Sequence, residues 1–199
     1  MSARSSPAAL RNREPIADTL APFLPDSGRV LMIAEGSGEH AVHFAARFSS
    51  LTWLPSDPDP QARGSIEAHR TDAGLANLEA AIDLDAAAQD WPIRGSFEAI
   101  TCINMIHISP WASTEGLLRG ASKSLADGGV LYLYGPYRRG GVPLAPSNAA
   151  FDESLKSRNA DWGLRELDDV VALANRYGLA LRLVEEMPAN NLSVIFRRQ

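Results

Sequence analysis

The chain has 199 residues, of which 45% are hydrophobic and 22% are charged, and its formal net charge is -5. This length suits one α/β domain with a full core and argues against a second independent domain. A pI near 5.4 gives no basic surface for a nucleic-acid backbone, and no apolar run reaches the roughly 20 residues of a membrane span. The first fifteen residues contain no apolar signal core, which indicates a cytoplasmic protein. We therefore expect one domain over 1–199 that binds neither nucleic acid nor membrane.

Cys102 is the only cysteine of the chain, so an internal disulfide cannot form. It lies in the apolar segment EAITCINMI, which indicates a buried strand residue. The histidines and carboxylates do not show the spacing of metal ligands, and the chain contains no internal repeat or heptad pattern. We therefore expect no metal site.

The predicted elements alternate between helices and strands along most of the chain. A helix over 8–24, with Ile16, Leu20 and Leu24 at helical spacing, comes first and covers the sheet or the mouth of a ligand site. Several later segments are apolar at consecutive positions, which indicates strands buried on both faces of a parallel sheet. The predicted strands are 29–34, 51–56, 80–84, 97–104 and 129–135, and the predicted helices are 39–48, 60–71, 113–126 and 164–177. This order predicts right-handed crossovers and a ligand at the carboxyl ends of the strands.

The last twenty residues break this alternation. LALRLVEEM (179–187) and LSVIFRR (192–198) are both typical of strands, and only a PANN turn separates them, which predicts an antiparallel hairpin. NAD-binding Rossmann domains normally keep all strands parallel, whereas a last strand inserted antiparallel is characteristic of class I S-adenosylmethionine (SAM) methyltransferases. The predicted fold class is therefore α/β: a Rossmann-like, seven-stranded class I methyltransferase fold, mostly parallel, with an antiparallel C-terminal strand and helices on both faces.

Residues 135–163 connect the fifth predicted strand to its helix. This connection is much longer than the usual ~2–6 residues, and long connections in compact domains are commonly functional. Because it leaves the carboxyl end of a strand, we expect it to form a substrate lid.

The segment VLMIAEGSGEHA (30–41) runs from an apolar strand through a glycine turn into a helix. Gly36 and Gly38 allow the backbone to turn tightly and to approach a ligand, and the helix that begins near Glu39 directs N–H groups towards it. The same pattern is also found in plain strand-to-helix turns, so the glycines alone do not identify a ligand.

Asp57 follows the second predicted strand, about 20 residues after the glycines, where a carboxylate accepts hydrogen bonds from ribose hydroxyls. The alternative is that Asp57 and Asp59, within SDPDP, only form a turn and cap the next helix. We favour ribose binding, with Asp57 as the ligand.

Asp85 follows the third predicted strand, where an acidic side chain can meet an adenine amino group while Leu84 and Ala86 flank the ring. Asp90 is an alternative for this position. A solvated loop carboxylate explains either residue equally well.

Polar residues also follow the fourth and fifth predicted strands. Asn104 and His107 are expected to face the cleft, and His107 is a candidate general base because its pKa ordinarily lies near working pH. A structural histidine bonded to a backbone carbonyl is an equally good interpretation. Tyr134, Tyr137 and Arg138 complete the predicted rim.

With these motifs the chain resembles, almost end to end, the family that includes methyltransferase-like protein 26, a group of unknown function within the class I SAM methyltransferases. The matching segments are RNREPI (11–16), GSGEHAVHFA (36–45), LTWLPSDPD (51–59), INMIHISPW (103–111), YGPY (134–137), SNAAFDESL (147–155) and MPANNLSVIF (187–196). The resemblance implies the seven-stranded fold and SAM as the cofactor.

The resemblance also implies roles for individual residues. It places Gly36 and Gly38 near the methionine part of SAM, Asp57 on the ribose, Asp85 near the adenine and Asn104 below the sulfonium. A second set lies in the N-terminal segment that closes over the site: Asn12, Arg13 and Glu14.

The chain departs from this family at two positions of the glycine turn. Met32 stands where the family has an acid, and Glu35 stands where the family has a small residue. A water-mediated contact with the SAM amino group would then come from Glu35 in the loop.

The function predicted from these observations is SAM-dependent methyl transfer to a small molecule, with His107 or Tyr137 as the base if the acceptor is a hydroxyl or an amine. Two alternatives remain. An NAD(P)-dependent oxidoreductase would use the same glycines and Asp57, and a non-catalytic binding module on a methyltransferase-like fold would be consistent with Met32 and Ala34.

Overall fold

A computed structural model describes residues 3–199 of the chain. Six strands form the main sheet: β1 (Gly28–Ile33), β2 (Leu51–Pro55), β3 (Phe97–Ile103), β4 (Leu125–Gly135), β7 (Leu179–Met187) and β8 (Asn191–Arg198). Two short strands, β5 (Tyr137–Arg138) and β6 (Arg165–Glu166), pair with each other. The helices are α1 (Pro7–Leu20), α2 (Glu39–Arg47), α3 (Pro60–Ala73), α4 (Trp111–Ser124), α5 (Pro146–Arg158) and α6 (Leu167–Arg176).

The strand order in the main sheet is β2-β1-β3-β4-β8-β7. Neighbouring strands from β2 to β4 are parallel, and β8 is inserted antiparallel between β4 and β7. The predicted C-terminal hairpin is therefore confirmed, and with it the mostly parallel α/β fold class. An all-parallel NAD-binding sheet does not describe this chain.

The predicted strand over 80–84 is not part of the sheet. Its segment runs beside β2 and makes only two isolated parallel bridges, Trp53 with Leu78 and Ser56 with Ile82. Pro55, the last residue of β2, lies between the bridged Trp53 and Ser56 and has no N–H to donate, so a continuous ladder cannot form there. The sheet consequently has six regular strands, with an irregular segment at the position of a seventh.

The main sheet is covered on both faces. One face packs against α4 and α6 through residues such as Leu118 and Val170, and the other packs against α1 and α2 through Leu20 and Phe44. Adjacent β1 residues alternate between the two apolar clusters, as the period of two in a strand requires.

The helix limits differ from the prediction at several places. α1 ends at Leu20 and continues as a 3₁₀ turn over Ala21–Phe23. The long connection over 135–163 contains α5, which its weakly amphipathic sequence did not indicate.

Asp152 on α5 holds this connection together. One carboxylate oxygen accepts from Arg138 at 2.6 Å and from Lys156 at 2.7 Å, and the other accepts from the Leu164 N–H at 2.8 Å. Burial acts to raise the pKa of Asp152, but Lys156, Arg138 and the Leu164 N–H together lower it below its ordinary value. The segment is thereby fixed over the carboxyl edge of the sheet.

Within residues 3–199, none of the helices combines the length and the apolar character needed to cross a membrane.

Candidate functional site

The carboxyl ends of β1 and β3 carry two non-glycine residues in the left-handed region. Ala34 has a φ of 54° and Asn104 has a φ of 59°. Such conformations cost free energy and persist where the surrounding structure imposes them, often at binding sites. Both residues line the same cavity.

This cavity has a volume of about 460 Å³, within the usual size of a small-ligand site. Its wall includes five of the residues predicted to bind a cofactor, namely Glu35, Gly36, Asp57, Asp85 and Asn104. The tertiary structure therefore brings together residues that are spread over about 70 positions of the sequence.

The glycine turn is held by the end of β2. Asp57 is buried and accepts from the Gly36 N–H at 3.0 Å with one carboxylate oxygen and from the Asp59 N–H at 2.9 Å with the other. Gly36 has a φ of 71°, and a side chain there would extend into open space. Gly38 has a φ of 98°, and its lack of a side chain lets the turn lie against Ile66 of α3. The two glycines therefore have different roles.

Asp59 caps the next helix, which is a role that the alternative interpretation gave to both Asp57 and Asp59. It is the N-cap of α3, where its side chain accepts from the Gln61 N–H at 2.8 Å. Asp57 also supports this turn, because it accepts the Asp59 N–H at 2.9 Å, and in addition it lines the cavity.

Three buried carboxyl groups surround the glycine turn: Glu35, Glu39 and Asp57. Burial raises the pKa of Glu35 to about 8; the Ala41 N–H, which donates to it at 2.9 Å, opposes this effect, and the charge of Asp57 adds to it. Burial also raises the pKa of Asp57, against the N–H groups of Asp59 and Gly36. The turn is therefore an acidic environment.

The N-terminal segment closes one side of the cavity. The Ser6 N–H donates to Glu39 at 2.7 Å, and the Ser5 hydroxyl donates to the same carboxylate at 3.2 Å. Farther along, the Asn12 amide oxygen lies 2.8 Å from Nε2 of His40. These contacts place Ser6 and the start of α1 across the mouth of the cleft.

The segment between α3 and β3 forms the apolar end of the cavity. Leu84 and Ala86 are buried in the wall, on either side of the exposed Asp85. Asp90, the alternative to Asp85, lies outside this wall and pairs with Lys123 at 3.4 Å.

A second cavity of about 640 Å³ adjoins the first, and both are lined by Ser6, Ala8, Asn104 and Ile108. Asn12, predicted to bind cofactor, lines this second cavity rather than the first. Arg13 lines neither of them. The two cavities therefore lie side by side and share part of their walls.

His107 lies in the wall of the second cavity and is 2% exposed. Burial lowers the pKa of His107 to about 4, and the charge of Arg165 acts in the same direction. Its Nδ1 has no hydrogen-bond partner among residues 3–199, and the ring packs edge-on against Phe151 with 5.6 Å between centroids. His107 is therefore a neutral imidazole at working pH.

Tyr137 does not reach either of these cavities. Its side chain is buried in the core on the opposite side of the sheet from Tyr134, and it lines a separate cavity of about 170 Å³. Burial raises the pKa of its hydroxyl, with the charges of Cys102 and Tyr132 adding to the effect. Tyr134 belongs to β4 of the main sheet, whereas Tyr137 lies in β5 after Pro136, and only Tyr134 lines the second cavity.

Several residues that line the two cavities were not identified from the sequence. His40 lines the first cavity, and Ile108, Asn148 and Phe151 line the second. His40 could have been found from its place in the first turn of the helix after the glycines, but Asn148 and Phe151 lie in a helix that the sequence pattern did not indicate.

Solved structures share this fold. The chain is similar to an O-methyltransferase family protein from Burkholderia thailandensis, with a TM-score of 0.78 and 17% identity over 96% of this chain and 57% of that one. It is also similar to the mitomycin 7-O-methyltransferase, with a TM-score of 0.79 and 16% identity over 95% of this chain and 54% of that one. A methyltransferase of calicheamicin biosynthesis in its SAH-bound form gives a TM-score of 0.74 and 14% identity over 96% and 55%.

The chain thus spans little more than half the length of these methyltransferases, and at such low identity the similarity establishes the common fold alone. At the level of sequence, a family model described as "Protein of unknown function (DUF938)" matches residues 3–198. Because that match extends over nearly the whole chain, the protein belongs to the DUF938 family.

Proposed function

We propose that this protein is a SAM-dependent methyltransferase that acts on a small molecule. The first cavity would bind SAM and the second would bind the acceptor. The observation that carries the proposal is the set of carboxyl groups around the glycine turn.

The first cavity is lined by the carboxyl groups of Glu35, Asp57 and Asp85, and its described lining includes no lysine or arginine. The N–H of Ala41, in the first turn of α2, already donates to Glu35. A dinucleotide would bring a pyrophosphate to this helix terminus, where it would meet carboxyl groups instead of free N–H donors. SAM brings a sulfonium and an ammonium group, which such a site favours.

The shape of the cavity supports the same ligand. Asp57, at the end of β2, is positioned for a ribose, and Leu84 and Ala86 offer apolar surface for an adenine ring beside Asp85. The SAH-bound structure among the similar folds is consistent with this arrangement. The finer relationship to the group that includes methyltransferase-like protein 26 rests on the sequence motifs and is part of the proposal.

The expected result is that SAM or its product S-adenosylhomocysteine (SAH) stabilises the purified protein and that NADH does not. Ligand at 100 times its Kd adds about 2.7 kcal/mol to the free energy of unfolding, or roughly 5–10 °C in Tm for a chain of this size. Differential scanning fluorimetry and calorimetry measure both effects. Stabilisation by NADH, with no response to millimolar SAM or SAH, would refute the proposal.

The second cavity suggests what kind of acceptor is methylated. Arg11 is its one charged residue among the described lining, and the other polar groups there are asparagine, serine and tyrosine side chains and the neutral imidazole of His107. Ile108 and Phe151, which are 41% and 39% exposed, give it apolar surface. This combination favours a small acceptor with an apolar body and a neutral or anionic polar group over a cationic amine.

When bound, SAM supplies a methyl group that is already activated, so the protein contributes mainly by positioning the acceptor and excluding water. Asn104 and Ile108, which line both cavities, would hold the acceptor beside the cofactor. The neutral imidazole of His107 would accept a hydrogen bond from the acceptor hydroxyl and orient it.

A screen of hydroxylated aromatic and aliphatic compounds with methyl-labelled SAM would identify the acceptor. With that acceptor, we expect His107→Ala to lower kcat by about 100-fold, the lower end of the range for the loss of a general acid–base group. His69→Gln is the matched control, because His69 lines neither cavity and its ring bonds the Arg4 carbonyl. Unchanged turnover in His107→Ala would remove His107 from the proposed site.

A further inference from the structure

Glu35 is a buried carboxyl group in the wall of the first cavity. It is 8% exposed, and its Oε1 accepts from the Ala41 N–H at 2.9 Å. Its neighbour Ala34 adopts a φ of 54°, which turns the chain out of β1 so that the next side chain lies between the cavity and the first turn of α2. Glu35 is therefore nearly buried, and it also lines the space in which a ligand would lie.

The other titratable groups around Glu35 have partners of their own. Both carboxylate oxygens of Asp57 accept backbone N–H groups, and Glu39 accepts from the Ser6 N–H and from two serine hydroxyls. His40 on α2 pairs with Asn12, and burial lowers the pKa of His40 to about 4. His40 is therefore uncharged near neutral pH and cannot compensate a Glu35 carboxylate.

β1 itself provides no acid to the cavity. Met32 is 1% exposed and lies in the apolar cluster beneath α1 and α2, among residues that include Leu20 and Phe44. An ammonium group at the amino-acid end of a ligand, next to Gly36, would therefore find carboxyl groups only after the strands, at Glu35 and Asp57. Both oxygens of Asp57 already accept backbone N–H groups, which leaves Glu35, within residues 3–199, as the carboxyl group with a free oxygen.

We propose that Glu35 binds the ammonium group of the cofactor and releases its own proton to solvent when the cofactor binds. The proposal rests on the proposed function, since it takes SAM as the ligand. The free protein holds Glu35 as a neutral acid that accepts the Ala41 N–H. The bound protein holds it as a carboxylate whose Oε2 is paired with the ligand ammonium.

The test is calorimetric titration of the whole protein with SAM at pH 7.0 in buffers of different ionisation enthalpy. A group with a pKa of about 8 is roughly 90% protonated at this pH, so release of about 0.9 proton per bound ligand is expected. Between pH 5.5 and 7.0, where a ligand α-ammonium stays charged, the Kd should fall by about 30-fold.

Glu35→Gln keeps an acceptor for the Ala41 N–H but has no proton to release. We expect this variant to bind SAM at least tenfold more weakly at pH 7.0, with a Kd that changes by less than about threefold over the same pH range. Asp57 is present in both proteins, so the difference between them reports Glu35 together with its electrostatic coupling to Asp57. Glu39→Gln is the matched control and should keep the proton release, because Glu39 lines neither cavity and its carboxylate accepts from Ser5, Ser6 and Ser37.

SAH carries the same ammonium group without the sulfonium, so proton release should also accompany SAH binding. Release with SAM alone would assign Glu35 to the sulfonium and overturn the proposal, and so would binding of SAM by the native protein without proton release. Both of these outcomes are measured on the native protein, and in both of them the protein still binds SAM. Absence of SAM binding at every pH is a different result, which would refute the proposed function.

The free protein offers a second measurement. Because folding raises the pKa of Glu35 from 4.5 to about 8, its neutral form stabilises the folded state, and this contribution is lost as the pH rises through about 8. Glu35→Gln should flatten the fall in unfolding free energy between pH 5 and 9, as followed by urea titration. An unchanged slope would contradict the neutral Glu35 of the free protein.

Discussion

Gly38→Ala is expected to lower the free energy of unfolding by about 2–5 kcal/mol. Gly38 has a φ of 98°, and an added Cβ would lie 2.8 Å from the Cα of Ile66. The left-handed conformation costs about 1–2 kcal/mol for a residue with a side chain, and overpacking against backbone adds about 1–3 kcal/mol. Urea unfolding of the purified variant measures the change.

Gly36→Ala is the matched comparison at the same turn. Gly36 has a φ of 71°, and a Cβ there would meet no atom within 4 Å. The substitution should therefore lower the free energy of unfolding only by the cost of the left-handed conformation, about 1–2 kcal/mol. The new methyl group would, however, occupy space in the cavity wall, and we expect SAM affinity to fall by tenfold or more. A Gly36→Ala protein with native affinity would show that the ligand does not approach this turn. Native stability in Gly38→Ala would show that α3 can move away.

Asp57→Asn is expected to weaken SAM binding by about 10- to 150-fold. Loss of a hydrogen bond to a charged group is worth about 1.5–3 kcal/mol, and this carboxylate both holds the Gly36 N–H at 3.0 Å and faces the cavity where a ribose would lie. Calorimetric titration with SAM and SAH measures the loss.

Asp59→Asn provides the control two residues away. Asparagine is also a good N-cap, so the start of α3 should be preserved within a few tenths of a kcal/mol. Asp59 lies outside the cavity wall, and its pairing with Arg4 is a long 3.7 Å contact near the surface. SAM affinity should stay within about twofold of the native value. Equal losses in the two variants would mean that Asp57 only supports the turn.

The regular part of the fold could be predicted because its signals are local. Apolar runs identified β1, β3 and β4, and two strand-like segments joined by a short turn predicted the C-terminal hairpin, which β7 and β8 confirm. The strand over 80–84 was predicted from the same kind of run, but pairing also requires a partner with free N–H groups, and Pro55 interrupts that partner. The α5 helix was missed because its apolar residues do not form a clear stripe.

Of the candidate site, the sequence by itself determined the glycine turn and the acid that follows β2. Both depend on spacing along a strand–turn–helix unit, and the parallel order of strands brings their ends to one edge. It also identified Glu35 as a departure from related sequences.

Only the tertiary structure decided which side chains meet and in what ionisation state. The Asn12–His40 contact joins residues 28 positions apart. Tyr134 and Tyr137 are close in sequence, but their side chains belong to apolar clusters on opposite faces of the sheet. The protonation of Glu35 and the neutrality of His107 depend on burial by several elements of the chain. Burial is a property of the packed molecule, since the cost of desolvating a charge depends on everything that surrounds it.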